Sequence, residues 1–324
     1  MDDTNDLDRE VDDSMRMFEK AHVGSTSPIT PIRPARVLLV LDGSDQDSTS
    51  VASAVYLQGR HNTETLILDA RDSGGQAGEE SGAPVGKSEL ATQTVAKVGQ
   101  SRAIERVPGD AFDAILQALA AHQIDLLIVP CPFGRSFEKV GLDSAGTVID
   151  VLLSRCPVPM LVTRRADQTL ANCTKRVCVL VSSECDVQTR AAGWAFGMSA
   201  DGAEVSLNIV VEKEQFENVR VIMEAMRPGE TFDEATLSDV MTKTHQSLHS
   251  AMNATASQLG MRYHLIPQAG KTAPPNPLSD PHEQLLVVPL EVDDRFTQGF
   301  VQDRIRRSPH PVLVVPGHVR SDGN

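Results

Sequence analysis

Residues 124–163, IDLLIVPCPFGRSFEKVGLDSAGTVIDVLLSRCPVPMLVT, decide the fold. An apolar run, IDLLIVP (124–130), leads into a glycine-rich stretch, GRSFEKVGLDSAGT (134–147). An amphipathic segment, VIDVLLSR (148–155), and a second apolar run, MLVT (160–163), follow. Short uninterrupted apolar runs suit strands buried on both faces of a parallel sheet. Ile149, Leu152 and Leu153 have helical spacing, and Pro157 closes that helix. The link between strand and helix carries Arg135 and Lys139, with Ser136, Ser144 and Thr147. Where such a link opens a helix, free backbone N–H groups and the helix dipole favour an anion. It is neither a Walker A loop nor a dinucleotide fingerprint. Taken alone, the stretch also reads as an ordinary surface loop.

The pattern extends outward in both directions. RVLLVLDGS (36–44) and TETLILDA (63–70) read as further strands, with helical spacing in SVASAVYLQ (50–58) between them. RDSGGQAGEESGAPVGKS (71–88) reads as a loop, 88–98 as a helix and RAIERV (102–107) as a third strand. In GDAFDAILQALAAHQ (109–123), Asp110 is placed to cap a helix whose apolar stripe is Phe112, Ile115, Leu116 and Leu119. His122 falls at its C-terminal end. Strands alternating with helices predict a parallel sheet with right-handed crossovers.

The second half repeats these segments in order. RVCVLVSSE (176–184) answers RVLLVLDGS, EQLLVVP (283–289) answers IDLLIVP, and PHPVLVV (309–315) answers PVPMLVT. Two copies of one domain account for this. A single long helix is predicted from Thr231 to Leu259, with Thr231 and Glu234 as a capping box. Leu237, Met241, Leu248 and Met252 would form its apolar stripe, and Gly260 its stop. The predicted architecture is α/β: residues 1–34 as an acidic, disordered tail, a first domain over 35–166 and a second over 175–318. Each domain is expected to hold its own five-stranded, mainly parallel sheet with helices on both faces.

Composition excludes several functions. A net charge of −14 at pH 7 argues against a nucleic-acid surface, which needs clustered Lys and Arg. No apolar run approaches the roughly 18 residues a membrane span needs, and the start lacks a basic-then-apolar signal. Five cysteines, at 131, 156, 173, 178 and 185, form no Cys-x-x-Cys pair and read as free thiols of a cytoplasmic protein. His245 and His249 have i, i+4 spacing but no third ligand is evident, and EVDD (291–294) lacks a calcium-loop pattern, so no metal site is predicted. No Ser–His–Asp or Cys–His arrangement emerges, so no catalytic residue is assigned.

The order and spacing of VLLVLDGS, VPGDAFDAILQALAAHQIDLLIVP, GRS and GTVIDVLLSRCPVPMLVTR resemble the universal stress protein family. The resemblance covers nearly all of 36–165 and extends more weakly over 176–317, as in a tandem member. It implies ATP or a related adenine nucleotide in the first domain only. Asp42 would hold the base or ribose, and Gly134, Arg135, Ser136, Gly146 and Thr147 the phosphates. The family loop has the form Gly-x2-Gly-x9-Gly-Ser/Thr. Here Phe137 stands at its second glycine, Gly141 is out of register, and eleven residues separate Gly134 from Gly146, one fewer than the pattern.

The second copy departs further. Ser182 replaces the acid, and Pro289 to Pro309 spans 20 positions where Pro130 to Pro157 spans 27. Glu291, Asp293 and Asp294 stand where glycines would, and GKTAPPNPLSDP (270–281) replaces the helix before strand four. The implied function is a stress-type regulatory protein. The alternatives are a nucleotide-free interaction or scaffold module and a slow nucleotide hydrolase. The family also implies pairing of the two fifth strands within the chain. Leu161 and Leu313 would then be buried, each apolar edge covering the other. No other protein partner is indicated.

Overall fold

The structure, a computed structural model, describes residues 27–71, 88–136, 140, 144–165, 168–182, 185–211, 213–226, 232–269 and 283–317. The first half runs β1 (Arg36–Leu41), α1 (Asp47–His61), β2 (Glu64–Asp69), α2 (Glu89–Val95), β3 (Ser101–Ala103), α3 (Ala111–Ala121), β4 (Leu126–Pro130), α4 (Thr147–Arg155) and β5 (Met160–Thr163). A short helix, α5 (Leu170–Cys173), lies in the expected linker. The second half runs β6 (Arg176–Val181), α6 (Gln188–Met198), β7 (Glu204–Val211), α7 (Lys213–Met226), α8 (Glu234–Thr244), α9 (Gln246–Gln258), β8 (Arg262–Ala269), β9 (Leu285–Leu290), α10 (Arg295–Arg307) and β10 (Val312–Pro316).

The strands form one ten-stranded sheet in the order β3-β2-β1-β4-β5-β10-β9-β6-β7-β8. The second half therefore mirrors the strand order of the first. All pairs are parallel except β5 with β10, which run antiparallel with Leu161 opposite Leu313. Two expectations conflicted here: a separate sheet in each half, and paired fifth strands. The pairing prevails and fuses the two five-stranded sheets into one.

Alternation along the strands builds two cores. Leu39, Ile67, Leu161, Leu313, Val179 and Leu207 belong to the layer on one face, under α1, α2, α6, α8 and α9. Leu38, Leu66, Val162, Val312, Val288 and Leu180 belong to the other, under α3, α4 and α10. Both layers run through both halves, so β1, β2, β4, β5, β6, β9 and β10 are buried on both faces, as their unbroken apolar runs require, while Arg262, His264 and Ile266 of the edge strand β8 are exposed.

Two further expectations are corrected. The long helix is two helices, broken at His245, whose backbone leaves the helical region (φ −96°, ψ 17°). Its first cap is Asp233, whose carboxylate accepts the Thr236 N–H at 2.8 Å; Thr231 lies outside the described residues, as does 270–281. The apolar stripe survives the break, with Leu237, Met241, Leu248 and Met252 all buried. Residues 27–34, expected in the tail, are bound to the second half. The Ile29 N–H donates to Thr255 Oγ1 of α9 (2.7 Å), and the Ile32 N–H to the Gly193 carbonyl of α6 (2.9 Å). A Cβ at Gly197 would lie 1.7 Å from the Ile32 carbonyl oxygen, so only glycine admits this strap. Met15 to Lys20, where the sequence also suggests a short helix within the tail, lie outside the described residues.

Two outcomes follow. Leu161→Ala and Leu313→Ala should each cost about 2–5 kcal/mol in urea denaturation. The double variant should be non-additive, because register partners share one contact; additivity to within roughly 0.5 kcal/mol would count against the junction. Gly197→Ala should release the strap, read as faster hydrogen exchange at the Ile32 amide with the β4 amides unchanged.

Candidate functional site

In a parallel sheet the carboxyl ends of the central strands open onto the ligand crevice. Here those strands are β1 and β4, which pair directly. Asp42 follows β1 and is only 6% exposed. Its Oδ2 accepts the Gly134 N–H at 2.6 Å and its Oδ1 accepts the Ser44 N–H at 2.8 Å. Asp42 thus latches the turn after β1 to the loop after β4. Gln46 Nε2 repeats the tie by donating to the Cys131 carbonyl (3.1 Å), and Ser136 Oγ by donating to Asp45 Oδ2 (3.4 Å). Gly134 turns the chain with φ +69°, a conformation that glycine adopts without strain.

Gly146 caps α4 with φ +88° and offers no side chain to the first turn. Thr147 opens that helix, so the early N–H groups, which lack intrahelical partners, face outward. A cavity of about 570 Å³ lies against them, and its lining includes Asp42, Arg71, Gly134, Arg135, Gly146 and Thr147. Of the predicted site residues, Ser136 is outside the lining and turns to Asp45. Phe137, Lys139 and Gly141 lie outside the described residues. Arg71, just past β2, was not read from the sequence; no motif surrounds it, and only the neighbouring β1 brings it in. Asp150, on the first turn of α4, also lines the cavity and was likewise missed.

The second half differs at the equivalent place. Between β9 and α10 stand only residues 291–294, where 131–146 join β4 to α4. Asp294 Oδ2 accepts the Thr297 N–H (3.3 Å) and hydroxyl (2.6 Å). The start of α10 therefore already holds a carboxylate. The remaining candidates disperse: His245 is buried with Nδ1 against the Met241 carbonyl (3.0 Å), while His249 Nδ1 meets the Tyr263 hydroxyl (3.0 Å). Among the described residues no cluster of three or more His, Cys, Asp or Glu could hold a metal. Burial pushes the Cys131 thiol up to about 11, which keeps it protonated and a poor nucleophile. No described helix is long and apolar enough to cross a membrane.

Residues 35–164 match the family model described as the universal stress protein family. This segment is a universal stress protein domain. Solved structures extend the likeness of fold over both halves. A universal stress protein from Archaeoglobus fulgidus DSM 4304 shares 14% identity over 88% of this chain and 99% of its own, with a TM-score of 0.56. A putative universal stress protein from Pseudomonas aeruginosa UCBPP-PA14 shares 13% identity over 87% and 93%, also at 0.56. The comparison with curated proteins gives no match.

Within the universal stress domain, Asp47 organises the turn below the latch. Its oxygens accept the N–H groups of Asp42 (3.0 Å) and Gly43 (2.9 Å). Burial pushes its carboxyl up to about 7; the amide of Asp42 pulls the other way, and the charge of Asp42 adds to burial. A carboxyl raised above its unfolded value of 3.8 binds its proton more tightly when folded. Its stabilising contribution is present below about 3.8 and is lost as pH rises through about 7. The stability of wild type relative to Asp47→Asn should therefore fall between those values and level off above them. Urea titrations of both proteins across that window check it; a gap independent of pH would contradict the assignment.

Proposed function

We propose that the chain is a universal-stress-type regulatory protein whose first half binds an adenine nucleotide and whose second half is its structural partner. The observation that carries this reading is the contrast between the two helix starts. α4 begins at a bare glycine facing a cavity of about 570 Å³, whereas α10 begins at its own carboxylate. The volume falls within the roughly 300–1,000 Å³ typical of small-molecule sites. Phosphate would meet the N–H groups of the first turn from Thr147 on, with Arg135 adding charge, and would have to displace the Ser144 Oγ that now accepts the Gly146 N–H (3.0 Å). Each Asp42 oxygen accepts one amide, and a carboxylate oxygen has a second acceptor direction for a base or ribose donor. The latch itself favours a second reading. With Asp42 already engaged by Gly134, the loop is held without a ligand, as a nucleotide-free interaction module requires.

Calorimetric titration with ATP separates the two. Binding should weaken at least tenfold, about 1.4 kcal/mol, in Gly146→Val, where a side chain meets φ +88° at the helix start. Asp42→Ala should weaken it as well. Wild-type binding untouched by both substitutions would reject the site, and the absence of binding would leave the interaction module.

A further inference from the structure

Among the described lining residues, Arg71 alone comes from the β2 end of the sheet; Asp42 follows β1, and the others belong to the β4–α4 loop and its helix. Arg71 is fixed in place. Its Nε donates to Asp69 Oδ1 (2.9 Å) and its Nη2 to Asp69 Oδ2 (2.7 Å). Asp69 is in turn held by a short hydrogen bond from Ser88 Oγ. The Asp69 side chain is 8% exposed and that of Arg71 50% exposed. The carboxylate is thus buried behind the arginine, and the guanidinium faces outward. A half-exposed pair of this kind adds only about 0–1 kcal/mol to stability, so stability alone accounts poorly for the arrangement.

The arginine also leans toward the site. A Cβ at Gly43 would come within 2.6 Å of Arg71 Cδ, so the side chain lies across the turn after β1. Asp69 engages Nε and one Nη2 proton, and a guanidinium carries five donors. The outer donors remain, on a group that lines the cavity. Arg135 lines the same cavity from the β4 side. Strand order β2-β1-β4 places the two strand ends two ladder spacings apart, roughly 10 Å, with Asp42 between them. Two cations thus flank Asp42 across a single cavity, whose described lining also holds Asp150, a carboxylate engaged by Gln302 Nε2 (2.7 Å).

Building on the nucleotide reading above, we infer that this cavity selects a ligand with anionic groups at both ends, and that Arg71 is the specificity-determining residue for the second anion. The class is a nucleoside phosphorylated on both sides of its sugar, one phosphate at α4 and Arg135 and the other at Arg71. A nucleotide with one polyphosphate tail fills only the first position. Pinning by Asp69 pre-organises the fork for two parallel hydrogen bonds to phosphate, which lysine does not reproduce.

The test compares ADP with adenosine 3′,5′-bisphosphate, which carry the same number of phosphates, by calorimetry on the full chain. Wild type should bind the bisphosphate at least tenfold more tightly. Arg71→Ala should abolish that preference while leaving ADP affinity within about twofold, and Arg71→Lys should restore it only in part. Arg135→Ala should weaken both ligands. Asp69→Asn, which keeps the arginine but loosens its anchor, should give an intermediate preference, with thermal melting showing both Arg71 variants folded. Equal binding of the two ligands to wild type overturns this inference and leaves the nucleotide reading standing. A preference that survives Arg71→Ala overturns it too, and binding of neither ligand overturns both.

Discussion

The antiparallel pairing of β5 with β10 is the constraint on which the rest of the structure depends. A β5 edge reading MLVT, buried on both faces, would expose unpaired backbone and apolar side chains if the first half stood alone. Its partner strand, VLVVP, has the same liability. Joining them removes both edges at once and places Leu161 against Leu313 in one core layer, and Val162 against Val312 in the other. The two cores become continuous sheets of apolar contact across the junction. The strap at 27–34 then crosses from α6 and α9 to the start of β1, where Asp125 Oδ2 accepts the Ala35 and Arg36 N–H groups (2.9 and 2.8 Å). The strap thereby ties the halves at a place separate from the β5–β10 junction.

The two halves carry strand-to-helix links that meet their helix starts in different ways. Both helices begin beside the carboxyl end of a central strand, and both have unpartnered N–H groups to satisfy. In the first half a glycine stands at the cap, and the loop is long enough to leave a cavity in front of it. In the second, a short connection brings Asp294 onto the helix start, and the demand is met internally. A helix terminus satisfied by its own carboxylate no longer attracts an anion.

Much of this was legible in the sequence, and the failures have physical causes. The strand runs at 36, 126, 160, 176 and 285 were readable because burial on both faces demands unbroken apolar residues. The break at His245 was not, because Met241 and Leu248 are two helical turns apart, so the stripe keeps its phase through the irregular residue. Carboxylates at 291–294 were read only as standing in place of loop glycines, whereas Asp294 caps a helix. The strap was hidden because its signal lies far away in the chain: Gly193 and Gly197 lie four apart on α6, on the face where Ile32 approaches. Of the site, the glycines and Asp42 carried a recognisable spacing. Arg71 carried none, since its place depends on β2 lying beside β1 and on the bare Cα of Gly43.

The second half also reaches the edge of the site it does not share. Gln302 of α10 donates from Nε2 to Asp150 Oδ1 of α4 at 2.7 Å, one turn after the glycine cap. Arg164, 1% exposed at the end of β5, donates from Nη1 to the Ile305 carbonyl of α10 (2.5 Å) and lies 3.7 Å from Cys131 Sγ, at the start of the glycine-rich loop. A buried guanidinium is stable only where its donors are met, so this arginine requires α10 to be seated. Removing the second half would strip a partner from Arg164 and uncover the β5 edge in the same stroke. The position of the loop after β4 is therefore a property of the whole ten-stranded sheet, even though every described residue lining the cavity comes from the first half.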